Sequence, residues 1–292
     1  MPLKVAVAQA GAIAFDTAKS LEKALALLAE AGSAELVVFP EAFLGGYPKG
    51  MDFGARVGMR SAEGRKWFRR YFEAAIDVPG PETDALAAAA KERGAWVVMG
   101  AIERDGGTLY CTALMFSPAG ELAGKHRKLM PTAMERIIWG FGDGSTMPVI
   151  ETGIGKLGAV ICWENYMPLM RMAMYQKGIQ LYCAPTVDDR EIWTATMRHI
   201  AYEGRCFVMS ACQFSRRGDY PADYAGAVEG DVLIRGGSMI VGPQGQVLAG
   251  PVYGEERVLT AEVDLGEIAE GKYDLDVAGH YARPDVFELR VR

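Results

Sequence analysis

A chain of 292 residues, half of them apolar and 23% charged with both signs spread along its length, can build one large core or two smaller ones and lacks the composition of a disordered chain. A formal charge of −6, with His126-Arg127-Lys128 the nearest thing to a basic run, argues against nucleic acid or an anionic membrane as the main partner. No apolar run approaches the roughly 18 residues of a membrane span, the start Met1-Pro2-Leu3-Lys4 lacks the pattern of a signal peptide, and five cysteines without framework spacing fit a reducing cytoplasm.

Leu3 to Ala10 alternates and reads as the first strand. Asp16 or Thr17 then caps a helix that places Leu21, Ala24, Leu25, Leu28 and Ala31 on one face and ends at Gly32. Leu36-Val37-Val38-Phe39 is the short apolar run of a strand buried on both sides. Helices are expected over Ala62 to Ala75 and Glu82 to Arg93, broken apart by Pro79-Gly80-Pro81. Strands follow over Ala95 to Ile102, Leu109 to Ser117 and Glu121 to Lys125, joined by Gly-containing hairpin turns. A long irregular segment from Arg127 to Ile150 has the length of a functional loop. Beyond it, the strand Lys156 to Cys162, a helix Pro168 to Gln176 and the strand Ile179 to Ala184 make a βαβ unit. A helix Glu191 to Glu203 and a strand Cys206 to Phe214 repeat the theme, and the last third is strand and hairpin: Gly237 to Gly242, Gln246 to Gly250, Arg257 to Val263. This alternation indicates an α/β fold with mixed sheets. With no linker or internal repeat, residues 1–292 read as a single domain.

Cys162 is the most informative residue. It ends an apolar strand just before a helix begins, where backbone N–H groups and the helix dipole favour a thiolate. Its other reading is a buried cysteine acting as a small hydrophobe, and for Cys111, Cys183, Cys206 and Cys212, inside strand patterns, that reading wins. Glu41 follows a buried strand through Pro40, at the kind of strand end where α/β folds bind ligands, or else it is a surface carboxylate. Lys128 opens the long loop and Glu135 follows it. By position alone both are equally ordinary surface charges. Gly153, Gly155 and Gly158 match the spacing of a dinucleotide loop but precede a strand instead of following one, so that reading fails. There is no C-x-x-C or H-E-x-x-H pattern for zinc, and none of His126, His199 and His280 can be placed beside Cys162 from sequence.

Three ordered stretches nevertheless resemble the motifs of the nitrilase superfamily: Val38 to Pro48 around Glu41, His126 to Thr132 running on to Glu135 and Trp139-Gly140, and Val160-Ile161-Cys162-Trp163-Glu164-Asn165-Tyr166. Further matches are Ala184-Pro185-Thr186 with Asp189-Arg190, Met197 to Phe207, and Gly279 to Asp285, so the resemblance spans nearly the whole chain. It implies an αββα sandwich in which Glu41, Lys128 and Cys162 converge and Glu135 orients Lys128. It further implies a homodimer or larger homo-oligomer built through the helical layers, with no metal or organic cofactor. Many close members carry a C-terminal tail that supports spirals; here the chain stops at Arg292, which favours a dimer. The residues after the nucleophile, with Tyr47 in the first motif, resemble those of true nitrilases, so a small nitrile is the expected substrate, and Tyr47, Trp163 and Glu164 are expected to line its site. An amidase or carbamoylase on the same scaffold is the nearer rival, and a non-catalytic binding or scaffold protein the more distant one.

Overall fold

Successive residues of each central strand go to different cores. In β1 (Leu3–Gln9), Leu3, Val5 and Val7 join one apolar cluster while Ala6 and Ala8 join another. The same division holds in β2 (Leu36–Val38), where Leu36 and Val38 part from Val37. The computed structural model describes residues 2–292. Between β2 and the next long strand lie a small hairpin, β3 (Ala55–Arg56) with β4 (Met59–Arg60), and α2 (Ala62–Glu73). The short β5 (Ile76–Asp77) and α3 (Pro81–Arg93) follow. β6 (Trp96–Asp105), β7 (Thr108–Phe116) and β8 (Leu122–Arg127) extend a sheet in the order β1-β2-β6-β7-β8, with β5 on β6. Helix α1 (Thr17–Glu30) precedes β2, and the Asp16 side chain caps it by accepting from Lys19 N.

The second sheet takes β9 (Val149–Thr152), β10 (Gly155–Ala159), β11 (Leu181–Thr186), β12 (Phe207–Cys212), β13 (Phe214–Arg216), β14 (Val232–Val241) and β15 (Val247–Tyr253). Helices α4 (Pro168–Gln176) and α5 (Glu191–Gly204) lie in its crossovers. β16 (Arg257–Val263) then returns to the first sheet antiparallel to β1, and α6 (Gly266–Asp274) follows. Leu157, Leu181, Phe207 and Met209 face the first sheet; Val160, Tyr182, Ala184 and Val208 face the opposite way. Ala24, Leu27 and Leu28 of α1 and Leu86 and Ala90 of α3 cover the outer face of the first sheet, and Met174, Trp193 and Met197 of α4 and α5 cover that of the second. This is the four-layer αββα arrangement that the resemblance implies. Each fully buried Val, Leu, Ile or Phe in these layers contributes about 1.5–3 kcal/mol.

Several expectations need correction. The helix after Pro79 starts at Pro81, not Glu82, because proline suits the first helical position, where its missing N–H costs nothing. The expected strand Cys206 to Phe214 is two strands interrupted at Gln213, whose side chain is diverted to other backbone groups. β14 starts at Val232, well before Gly237. Gly236 and Gly237 have φ of 91° and 118°, and the register with β15 shifts there, so the alternation that marks a strand is broken. β9 begins at the end of what reads as loop and runs two residues past it, and α6 escapes notice because it buries only Ile268 and Gly271 and presents no apolar stripe. Among the described residues, no helix is long and apolar enough to cross a membrane.

Candidate active site

Strand direction brings the site together. β2 and β6 are parallel, and β8, antiparallel to β7, runs the same way; β10, β11 and β12 are parallel to one another. Glu41 lies three residues beyond the end of β2, Lys128 directly follows β8, and Cys162 lies three residues beyond β10, so all three come from the carboxyl ends of strands. The chain at Glu41 passes hard against β6. A Cβ on Gly100 would fall 2.1 Å from Pro40 O and 2.8 Å from the Glu41 Cα, so a glycine is required there. Gln213 Nε2 donates to Glu41 O at 2.7 Å and fixes the same turn from the second sheet.

Lys128 is buried, and its ammonium lies between two carboxylates. Nζ donates to Glu41 Oε1 at 2.7 Å and to Glu135 Oε2 at 2.8 Å, with the Trp139 ring 5.4 Å away. Glu135 belongs to a short 3-10 turn, Ala133–Ile137. Its Oε2 also accepts Thr132 N at 2.6 Å, and its Oε1 accepts the Tyr47 hydroxyl at 2.9 Å. Glu41 Oε1 further lies 3.5 Å from the Cys111 thiol, while Oε2 is buried with no hydrogen-bond partner. An orphaned carboxylate oxygen of this kind carries a desolvation cost that a functional role can explain.

Cys162 opens a second 3-10 turn, Cys162–Tyr166, and sits in the left-handed region at φ 48°, a strained conformation for a non-glycine residue. Asn165 holds it there by donating Nδ2 to Val160 O and Cys162 O at 2.9 and 2.8 Å, and the Thr186 hydroxyl lies 3.2 Å from the sulfur. Burial first, and the Glu41 carboxylate second, push the Cys162 thiol well above its ordinary range, and Lys128 only partly offsets them. Burial also raises the Glu41 carboxyl; Lys128 pulls it back and Glu135 pushes it up again, leaving it above the usual range. For Lys128 burial works against the ammonium, but Glu41, Cys162 and Glu135 outweigh it and hold the group protonated. The ground state is therefore a neutral thiol beside a carboxylate of raised basicity and a fixed ammonium.

Above the sulfur lies a cavity of about 190 Å³ lined by Tyr47, Thr132, Glu135, Cys162, Trp163 and Arg190 among others. Trp163 Nε1 donates to Asp188 Oδ2 at 2.9 Å, and the Arg190 guanidinium, ion-paired to Asp188, lies 4.9 Å over the Trp163 ring. A larger cavity of about 720 Å³ lies between α4 and the C-terminal segment, far enough away that none of Glu41, Lys128, Glu135 or Cys162 lines it. The protein family described as carbon-nitrogen hydrolase matches residues 4–273. The chain belongs to the carbon–nitrogen hydrolase family. Over 99% of its length it is 61% identical to a nitrilase of Bradyrhizobium diazoefficiens, of which it covers 91%. It is 58% identical, again over 99% of its length, to a bifunctional nitrilase/nitrile hydratase of Lupinus angustifolius, of which it covers 86%. These identities place it in the nitrilase branch. A solved carbon–nitrogen hydrolase from Helicobacter pylori G27 superposes with a TM-score of 0.77 over 98% of this chain and 97% of that one, at 23% identity, which is a likeness of fold.

In this carbon–nitrogen hydrolase, Tyr47, Glu135, Lys128 and Glu41 form one hydrogen-bonded chain, and Cys162 and Trp163 share the cavity wall with Tyr47 and Glu135. Glu164 does not join them as a substrate-facing group. Its side chain is fully buried and turned beneath Cys162, where it accepts from His126 Nε2, Leu129 N and Ile161 N. A carboxylate with that many donors has none of its charge free for a ligand. Sequence reasoning assigned no role to Asn165, Thr186, Asp188 or Arg190. Asn165, Thr186 and Arg190 fall in stretches that resemble the family, which is the one signal that singles them out.

Proposed function

We propose that the protein is a nitrilase that converts a small organic nitrile to its carboxylic acid and ammonia, with Cys162 as nucleophile. The observation that carries this reading is the unpartnered Glu41 Oε2, buried in the same cluster as a neutral Cys162 thiol, while Glu41 Oε1 is tied to Lys128. A nitrile carbon is a poor electrophile and calls for a sulfur nucleophile made on demand. Glu41 takes the thiol proton as sulfur bonds to the nitrile carbon, and the nitrogen is protonated to give a thioimidate. Water adds, ammonia leaves from the protonated tetrahedral intermediate, and a second water hydrolyses the thioester, restoring the thiol. Lys128 and the Trp163 backbone N–H stabilise the charge that develops at each addition; losing one such donor typically costs about 100- to 1,000-fold in rate. Glu135 and the Tyr47 hydroxyl keep the Lys128 ammonium aimed. No step needs a metal or organic cofactor.

The cavity of about 190 Å³ favours a compact substrate. An amide is the second product to look for, since the Lupinus relative is named as both nitrilase and nitrile hydratase. Amide or carbamoyl hydrolysis is the rival activity. Ammonia release from a panel of nitriles and a matched panel of amides separates them: turnover of amides with none of nitriles overturns the proposal. We further propose that residues 1–292 act as one catalytic domain, that the protein works in the cytoplasm, and that it forms a homodimer through its outer helices. Leu169 of α4 and Tyr202 of α5, with Tyr281 and Phe287 of the segment after α6, leave apolar surface exposed. Sedimentation equilibrium that returned only monomer would remove the dimer from this picture.

A further inference from the structure

His126 and Lys128 lie on the same face of the strand direction of β8. His126 pairs with Ala113, and Lys128 N donates to Cys111 O; Cys111 and Ala113 both face the space between the sheets. Arg127, between them, turns to the other side, where Glu103 Oε1 and Oε2 take its guanidinium at 2.6 and 2.9 Å. His126 therefore points toward the second sheet, and there it meets Glu164. Nε2 lies 2.9 Å from Oε2 and 3.2 Å from Oε1, with both side chains fully buried. The same carboxylate accepts Leu129 N at 2.5 Å through Oε1 and Ile161 N at 2.9 Å through Oε2. Its donors thus bracket both reacting groups: Ile161 immediately precedes Cys162, and His126 and Leu129 flank Lys128. Among the described residues, no other hydrogen bond joins the two loops.

We propose that Glu164, held by His126, is a positioning residue whose one carboxylate fastens the Cys162 turn to the Lys128 loop and so sets the spacing between sulfur and ammonium. This rests on the nitrilase reading above and adds to it a group that touches no substrate. His126 supports it chemically. Its Nδ1 faces Thr146 O and its Nε2 faces a carboxylate, both acceptors, so the ring donates from both nitrogens. Burial alone disfavours that imidazolium, but the Glu164 carboxylate outweighs it, and the charged form is held above its ordinary range. Two loops from two different sheets would otherwise be held together by packing alone, and a misplacement of about 1 Å can cost about 100-fold in rate.

The test uses the full chain as wild type, Cys162→Ala, His126→Leu, His126→Gln and Glu164→Gln, with kcat and KM measured on a nitrile the wild type hydrolyses. Glu164→Gln must set an amide NH2 against a backbone N–H, so it and His126→Leu should each lower kcat about 100-fold with KM held within about threefold. His126→Gln keeps an N–H that can reach Glu164 and should recover at least about tenfold of that loss. Wild-type kcat in Glu164→Gln, a raised KM with kcat intact, or equal losses in the two His126 variants overturns the proposal. If His126→Leu does not fold by circular dichroism, Glu164→Gln decides the matter alone, with the rate of Cys162 alkylation by iodoacetamide as a second readout; that rate should fall with kcat, and an unchanged rate overturns the proposal. Turnover by Cys162→Ala would instead bring down the nitrilase reading.

Discussion

Two short 3-10 turns in this protein are built on the same spacing and put to opposite uses. In Thr132-Ala133-Met134-Glu135 and in Ile161-Cys162-Trp163-Glu164 the glutamate reaches back to the backbone N–H three residues earlier, at 2.6 and 2.9 Å. Beyond that bond they part. Glu135 spends its remaining contacts on Lys128 and Tyr47 at the cavity, whereas Glu164 turns under the chain to His126 and Leu129 N. A local pattern fixes the cap; which side of the turn the carboxylate then faces is decided by the sheet from which the turn departs. For the Cys162 turn that sheet carries the sulfur to the cavity and its partner glutamate into the protein.

The comparison breaks most completely at the nucleophile. Cys162→Ala should abolish nitrile turnover while Tm changes by no more than roughly 1 kcal/mol would produce, since a sulfur alone is removed at a site already strained. Residual turnover above a thousandth of wild type would mean that another group attacks the nitrile. Next in size come Glu41→Gln and Lys128→Ala. A general base contributes about 100- to 10,000-fold, and the double variant should lose little beyond the worse single one, because the groups act as a unit. Simple multiplication of the two losses would show separate roles. Lys128→Ala should also lower Tm, since it leaves Glu41 and Glu135 buried without their counter-ion, a loss of about 3–5 kcal/mol.

How far the sequence reaches follows from the same contrast. β1, β16, α1 and the βαβ unit around β10, α4 and β11 are legible because each carries its own periodicity and its own cap or turn. Glu41, Lys128 and Cys162 are marked individually only as polar residues at strand ends. Their convergence is tertiary, with Lys128 and Glu41 separated by 87 positions, and it becomes visible through the order of the three motifs. Glu164 is the counterexample. It stands beside the nucleophile in sequence and in a motif that resembles a nitrilase, yet nothing in its spacing says that His126, 38 positions away, will claim it. β9, the first half of β14 and α6 lack alternation or an apolar stripe, and β3, β4 and β5 are only two residues long, so the pattern that would announce them is absent.

A pH profile sharpens the difference between the two glutamates. Activity requires Glu41 in its basic form, and its carboxyl is raised by burial and, among the charges near it, by Glu135. The acid limb of kcat/KM should therefore lie above the range of an ordinary carboxylate, with activity lost as pH falls through it. Glu135→Gln removes one of the charges that raise Glu41, so it should move that limb to lower pH while reducing the rate by up to about 100-fold through looser aim of Lys128. Glu164→Gln should reduce the rate and leave the limb where it is. A limb that moves equally in both variants would show that the two carboxylates are electrostatically equivalent at Glu41.

The smallest expected effect is on product composition. After water adds to the thioimidate, expelling nitrogen gives the acid and expelling sulfur gives the amide, and the protonation state of that nitrogen decides between them. Lys128 is held protonated and Glu41 is a carboxyl of raised pKa, so both can keep the nitrogen charged in its leaving position. Acid and ammonia should dominate, with amide a minor component in chromatographic analysis of a completed reaction. Glu135→Gln, by lowering the pKa of Glu41, leaves less of that carboxyl protonated to supply the departing nitrogen and should raise the amide share, by roughly a few-fold at most. Glu164→Gln acts on spacing and leaves that donor's basicity alone, so its slower reaction should give the wild-type ratio. Amide rising as much in Glu164→Gln as in Glu135→Gln would place product choice in the geometry of the Cys162 turn and remove it from the proton at Glu41.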